Sequence, residues 1–369
     1  MGWDGYRVAV LTPFPPPQDP KPPRGRTRHP FFMHEMIRRQ HVAVKATLAA
    51  AGEFPTALPL RDPKARLLTL GIGTSYHAAL AVAFAAREAA PGRVVEARPA
   101  FEFLDTPAEM GSDVAMVFSE SAETHVTVRA MELLRRRKVP TLLVTAAPQG
   151  EGRSVATEVF ETKHAQESSW THTVSYTAAI AAGWSLVQPR PDPVAESTVV
   201  QAIEDTLALE PRVMETVEAL GERDRFLTVG SGSAAASARE AALKIREATR
   251  RFAAAVGVEE LLHGVLPSVN EHTAVLAITG TSLERRRADE GLAAVRHLDG
   301  FTWLVDTSAG PAVESGLSLP AVPPGIAPVV QAIPLQSLAY WMAVQDGLNP
   351  DIMGLDDPKV LAARRSFGI

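Results

Sequence analysis

Three charged side chains, Glu240, Lys244 and Glu247, recur at i, i+4 and i+7 in the alanine-rich stretch Ala235–Arg251. On a helix that spacing puts two carboxylates and one ammonium on a single face. As a bare pattern such a stripe is ordinarily solvated. Shielded from water, the same carboxylates suit proton transfer between neighbouring carbons. Two turns carry a second kind of chemistry: Gly71-Ile72-Gly73-Thr74-Ser75, and Ser119-Glu120-Ser121-Ala122-Glu123-Thr124. Each follows an apolar run that reads as a strand and precedes a helical stretch. Helix N-termini at strand ends present free N–H groups and partial positive charge, which suit an anion. Neither turn has the P-loop lysine, and Gly71-x-Gly73 lacks the third glycine of a dinucleotide fingerprint. One such turn alone reads as an ordinary helix cap. Two at equivalent strand ends favour a shared anion site.

The chain has no cysteine, which excludes disulfides, thiolate metal sites and a cysteine nucleophile. His125, His164, His172 and His297 show no metal-ligand spacing, so neither a metal nor a cofactor is expected.

Gly73-Thr74-Ser75-Tyr76 and Ser119-x-Ser121-x-Glu123-Thr124 resemble the two phosphate-gripping loops of sugar isomerase (SIS) domains. Ala242-Leu243-Lys244-Ile245-Arg246-Glu247 resembles the catalytic helix of the tandem-SIS family that includes the isomerase half of glucosamine-6-phosphate synthases. Glu259-Glu260-Leu261-Leu262-His263-Gly264-Val265-Leu266 resembles the family's ring-opening histidine segment, and Met33–Gln40 its opening. The resemblance covers nearly the whole chain after Pro30. It implies that Thr74, Ser75, Ser119, Ser121 and Thr124 ring a sugar phosphate, and Gly73 and Glu120, in the same two turns, are expected at the binding site. It also implies that Glu247 shuttles the proton beside Lys244, and that His263 opens the ring. In that family the histidine reaches the neighbouring subunit's site, so the expected state is a homodimer with His263 contributed across the interface.

Four departures from the family pattern matter. Glu120 stands where the family has Gln, and Ala122 where it has Gly. A carboxylate about 4 Å from a phosphate costs roughly 4 kcal/mol per charge pair at an effective dielectric of about 20. Either Glu120 points away, or the ligand is less anionic than a hexose 6-phosphate. The loop Glu167–Thr173 brings Trp170 and His172 into what should be the sugar pocket, where the family has small residues. Trp170 offers a flat face for a ring, or packs in the core. The tail Leu355–Arg365 holds Ala363 where the family has its Schiff-base lysine; Lys359 is four residues off, and Arg364 stays protonated. With no glutaminase segment and no cysteine, amidotransfer is not expected.

These groups need a frame. Strands are expected at Leu67–Leu70, Val114–Phe118 and Thr141–Thr145, with helices over Tyr76–Ala89, Val126–Lys138 and Thr173–Val187. After the break at Pro189–Pro193 a long helix, Val194–Leu220, leads into a repeat of the rhythm. Strands Phe226–Val229, Ala274–Ile278 and Thr302–Val305 alternate with helices Ala235–Arg251 and Leu283–His297. A last helix over Val329–Asp346 carries Pro334, which places its true start in its first turns. Arg66–Ala89 aligns without gaps to Arg225–Ala248. This is a duplicated α/β unit, expected to form two tandem flavodoxin-like domains, each a parallel sheet between helices. The expected boundaries are a proline-rich arm (1–30), domains over 31–190 and 194–347, and a tail (348–369).

The 369 residues are 46% hydrophobic and 21% charged, as in soluble globular proteins. The net charge of −5 gives no electrostatic case for nucleic acid. No run reaches the length of a membrane span and the start shows no basic leader, so the expected location is the cytoplasm. The expected activity is aldose–ketose isomerisation of a sugar phosphate or amino-sugar phosphate, or an isomerising deamination or deglycation. The alternative is a non-catalytic sugar-phosphate sensor.

Overall fold

Apolar runs too short for helices become the centres of two five-stranded parallel sheets. A computed structural model describes residues 26–106, 111–190 and 192–367, so most of the expected proline-rich arm lies outside the described residues. The first sheet contains β1 (Leu67–Gly71), β2 (Val95–Pro99), β3 (Val114–Phe118), β4 (Thr141–Thr145) and β5 (Glu158–Glu161), ordered β2-β1-β3-β4-β5. The second contains β6 (Arg225–Val229), β7 (Phe252–Val256), β8 (Thr273–Thr279), β9 (Phe301–Asp306) and β10 (Gly316–Ser318), ordered β7-β6-β8-β9-β10. Every pairing is parallel. Both sheets therefore have the doubly wound flavodoxin-like order, whose switch point lies between the first and third strands.

The described helices of seven residues or more are α1 (Phe32–Arg38), α2 (Gln40–Gly52), α3 (Thr74–Ala89), α4 (His125–Arg136), α5 (Val174–Val187), α6 (Pro193–Leu207), α7 (Glu210–Leu220), α8 (Ala234–Thr249), α9 (Ser282–Arg296), α10 (Ala327–Gln345) and α11 (Pro358–Arg364). The single helix expected over Val194–Leu220 is two, α6 and α7. Pro211, in the first turn of α7, cannot donate the hydrogen bond that would continue α6. α10 begins at Ala327 and runs through Pro334. No described helix is long and apolar enough to cross a membrane.

The duplication is visible atom by atom. Thr69 Oγ1 donates to the Ala79 carbonyl at 2.9 Å, and its counterpart Thr228 Oγ1 donates to Ala238 at 2.7 Å. A Cβ on Gly71 would lie 2.4 Å from the Ser75 carbonyl carbon, and one on Gly230 would lie 2.4 Å from the Ala234 oxygen. In both copies only glycine lets the helix start this close to the strand end.

α3 and α8, the first helix of each copy, pack against each other, and α8 packs on α10. Small buried residues (Ala78, Ala81 and Ala85 on α3; Ala234, Ala238 and Ala241 on α8) leave room for close approach. One continuous apolar core takes in side chains of both copies, and each sheet has a smaller cluster on its outer face. The pairing of α3 with α8 positions the site.

Candidate active site

At the switch point of the first sheet, the chain leaves β1 through Gly71 and Gly73, the latter at φ +55°. Thr74 opens α3. Across the switch point, β3 delivers Ser119. The Glu120 carbonyl accepts from Ala147 N–H at 3.1 Å and from Thr145 Oγ1 at 2.9 Å, which fastens the turn to β4. Ala122 sits at φ +55°, the left-handed region that glycine favours and where the family has glycine. Gly152 N–H donates to the Ala122 carbonyl at 2.9 Å and helps hold that conformation.

A cavity opens here, lined by Thr74, Ser75, Ser119, Glu120, Thr145, Thr162, Ser175 and Tyr176 together with apolar side chains. None of its lining residues is Lys or Arg. Ser119 Oγ and Tyr176 Oη are buried without a protein hydrogen-bond partner. Buried hydroxyls rarely stay unpaired, so water or another polar group can pair with them here. Ser121 and Thr124 belong to the same turn but do not line the cavity. Ser121 Oγ accepts from Glu123 N–H at 3.2 Å, and Thr124 precedes α4 without a side-chain cap bond.

Behind Thr74 lies the charged stripe of α8. The packing against α3 turns it inward: Glu240 and Lys244 are fully buried, and the Glu247 side chain is only 13% exposed. Lys244 Nζ stands 2.5 Å from Glu247 Oε2, 3.3 Å from Glu240 Oε1 and 3.1 Å from Thr74 Oγ1. Thr74 Oγ1 in turn donates to Glu240 Oε1 at 3.2 Å. His77, one turn along α3, places Nδ1 2.7 Å from Glu240 Oε2.

The two carboxylates differ in acidity because they share one lysine unequally. Burial pushes Glu240 up, but Lys244 and the His77 ring more than offset it, leaving it below its ordinary value. Burial also raises Glu247, and there the same lysine does not compensate. Burial lowers Lys244, yet the two carboxylates hold it above its ordinary value, so it stays an ammonium. The result is a fixed ion pair beside a carboxyl shifted toward neutrality.

The Glu167–Thr173 loop closes the site from another side. Glu167 Oε1 accepts from Thr173 N–H at 2.6 Å and from Ser175 N–H and Oγ, both at 2.8 Å, so it caps α5. Its other oxygen is buried without a partner. Burial, with Glu120 adding to it, lifts Glu167 to about 7. His172 is half-buried; desolvation, then the nearby Lys244, depress it to about 4, so it is neutral at physiological pH. Trp170 is half-buried and does not line the cavity; its backbone N–H donates to the Asp351 carbonyl at 3.0 Å.

His263 does not join this group within the chain. It sits on a π-turn, Leu261–Val265, with its side chain 75% exposed and Nε2 3.2 Å from Glu259. Ala363 and Lys359 are exposed on α11. The sequence reading missed His77, Glu167 and Tyr176 as site residues. His77 carried a signal, since it lies one turn after Thr74, at the spacing that shares a helix face.

In the second copy, the equivalent turn after β8 is closed by the protein itself. Glu284 Oε2 accepts from Gly280 N–H at 2.8 Å and Thr281 N–H at 3.0 Å. Its other oxygen lies 2.4 Å from where a Cβ on Gly232 would be.

Comparison with known proteins bears on the fold and the family. The SIS domain family model matches residues 60–188 and 219–345. A glutamine–fructose-6-phosphate aminotransferase (isomerizing) from Pyrococcus horikoshii is 27% identical over 335 residues, covering 87% of this chain and 56% of that protein. The chain thus spans little more than half the length of such relatives. Among solved structures, the C-terminal domain of the Francisella tularensis glucosamine-fructose-6-phosphate aminotransferase superposes with a TM-score of 0.76 at 22% identity, covering 88% of this chain and 98% of that one. A tagatose-6-phosphate ketose/aldose isomerase from Escherichia coli gives 0.76 at 19% identity, covering 90% and 97%. Both share the fold. The two matched segments make up more than half of the chain and each contains one of the two sheets: the protein belongs to the SIS domain family and carries two copies of the domain in tandem.

Proposed function

We propose that the protein moves a proton between adjacent carbons of an open-chain sugar, as an aldose–ketose isomerase or an isomerising deaminase or deglycase. Glu247 is the shuttle. Its carboxylate takes the proton from the carbon next to the carbonyl, giving an enediol, and returns it to the neighbouring carbon as the carbonyl shifts. On a sugar that bears an amine, the same transfer gives an enolamine and then an imine. Water hydrolyses the imine to ketone and ammonia. Lys244 keeps its charge, tunes Glu247 and orients the Thr74 hydroxyl that faces the cavity. The observation that carries this reading is the Thr74–Lys244–Glu247 chain, which links a raised carboxyl to a wall of unpaired hydroxyls.

The test is incubation of hexoses, hexosamines and their 6-phosphates in deuterated water, with Glu247→Gln as control. Label at the carbon beside the carbonyl is expected for at least one sugar with the wild type and none with the variant. No label from any sugar would end this reading.

We further propose that His263 completes the site of a second copy in a homodimer, since its exposed ring lies outside the charged group of its own chain. If so, mixing inactive Glu247→Gln and His263→Ala chains should restore about one quarter of wild-type activity, because half the dimers gain one intact site. No recovery from a re-equilibrated mixture would refute the exchange.

A further inference from the structure

The wall that would hold the far end of the sugar is electrostatically unusual for a phosphate. Its acidic residue is Glu120, which lines the cavity from the turn between Ser119 and Ser121. A second carboxyl, Glu167, lies behind it: its backbone N–H bonds the Glu120 carboxylate, and Glu120 in turn acts on its side chain. No cation on the wall balances them. Lys244 is reached only through Thr74 and is already shared by Glu240 and Glu247. Arg39 and Lys163 line a separate cleft that shares only Ala146 and Thr162 with this wall. Around Glu120 the remaining polar side chains of the wall are hydroxyls, which donate or accept as required. Among these side chains the balance is an excess of acceptors.

Resting on the proton-transfer reading of this same site, we propose that Glu120 sets the substrate class: the cradle favours a sugar whose terminal group donates hydrogen bonds, a hydroxyl or an amine, over one ending in a phosphate dianion. A terminal hydroxyl can donate to Glu120 and accept from Ser119 at once. A phosphate dianion can accept only, and it meets a carboxylate where a neutral amide would have donated.

The experiment measures binding of glucitol and glucitol 6-phosphate, both open-chain, to the full chain and to its Glu120→Gln variant by calorimetry. Gln keeps the shape and the carbonyl that accepts the Glu167 N–H, and a thermal unfolding scan of each protein confirms that both are folded. The wild type should bind the phosphate no tighter than the free polyol. Glu120→Gln should shift the ratio of affinities toward the phosphate by at least about tenfold, or about 1.4 kcal/mol. A wild type that already prefers the phosphate by about a hundredfold, or a ratio unmoved by the substitution, overturns the assignment. So does failure of both proteins to bind either polyol. Deuterium exchange separates this from the function itself: exchange without a shifted ratio removes only the role of Glu120, whereas a shifted ratio without exchange removes the proton shuttle and leaves Glu120 in place.

Discussion

The two copies of the unit start from the same turn and end with opposite chemistry. In the first, the strand-end turns are open, with Ser119 Oγ and Tyr176 Oη unpaired over a cavity. In the second, Glu284 folds back onto the Gly280 and Thr281 N–H groups and pairs with them. The helices differ in the complementary sense. α8 carries Glu240, Lys244 and Glu247, while the aligned positions of α3 are Ala81, Ala85 and Glu88. Glu88 accepts a backbone hydrogen bond from Gly325 and has no lysine beside it. In the proposed reading one copy supplies the cradle and the other the acid–base group. The contact between α3 and α8 joins them. On that reading the duplicated unit holds one divided site, although a second cavity remains beside the Gly230–Gly232 turn of the second copy.

The sharpest way to break this comparison is to remove the same carboxylate from each copy. Glu247→Gln should lower the exchange rate by about a thousandfold, within the range for a positioned acid–base group. Glu88→Gln should leave that rate unchanged. Equal losses in both variants would mean that the copies are not specialised. Next in size is Lys244→Met, which strands Glu240 and Glu247 in the interior. Breaking a buried charge network from one side costs about 3–5 kcal/mol, readable as a lower denaturation midpoint. A midpoint shift within error would show that the stripe is solvated after all.

Much of this division was legible in the letters. The gapless match of Arg66–Ala89 with Arg225–Ala248 exposed the duplication, and the i, i+4, i+7 spacing put the three charges on one face. All six central strands were readable as short apolar runs. The four strands that were missed, β2, β5, β7 and β10, are the four sheet edges. Edge strands bury less, so Val95–Pro99 and Glu158–Glu161 carry charge and lack a continuous apolar signature. The closure by Glu284 was illegible for a different reason. Thr281 and Glu284 form a capping box that any helix could carry, and only the fold sets that carboxylate against Gly232. Glu167 likewise gains its meaning from the start of α5.

Glu284→Ala sharpens the comparison from the second copy. It leaves two backbone donors unpaired and should cost about 1–3 kcal/mol. Added sulfate should recover part of that loss by entering the vacated place, while exchange stays at the wild-type rate. A variant indifferent to sulfate would mean that Glu284 does not stand in for an anion.

The smallest effect is a slope against pH in the first copy. Glu167 has a folded-state value near 7, above its ordinary 4.5, so its protonated form favours folding. That contribution is complete below about 4.5 and is lost as pH rises through about 7. His172 acts in the opposite sense: its value is depressed from 6.5 to about 4, so its contribution is present above 6.5 and is lost as pH falls toward 4. In Glu167→Gln the opposing slope of this carboxyl is removed while the histidine's remains, and stability should rise more steeply from acid to neutral pH than in the wild type. Superimposable pH–stability curves would contradict the burial of Glu167.

The divided site itself is tested most directly by a crystal structure of the protein soaked with glucitol. The expected result is a polyol spanning the two copies, one end against Ser119 and Thr74 and two adjacent carbons beside the Glu247 carboxylate, its hydroxyls within about 3 Å. A polyol seated at the Gly230–Gly232 turn of the second copy, or held by the first copy out of reach of Glu247, would contradict it.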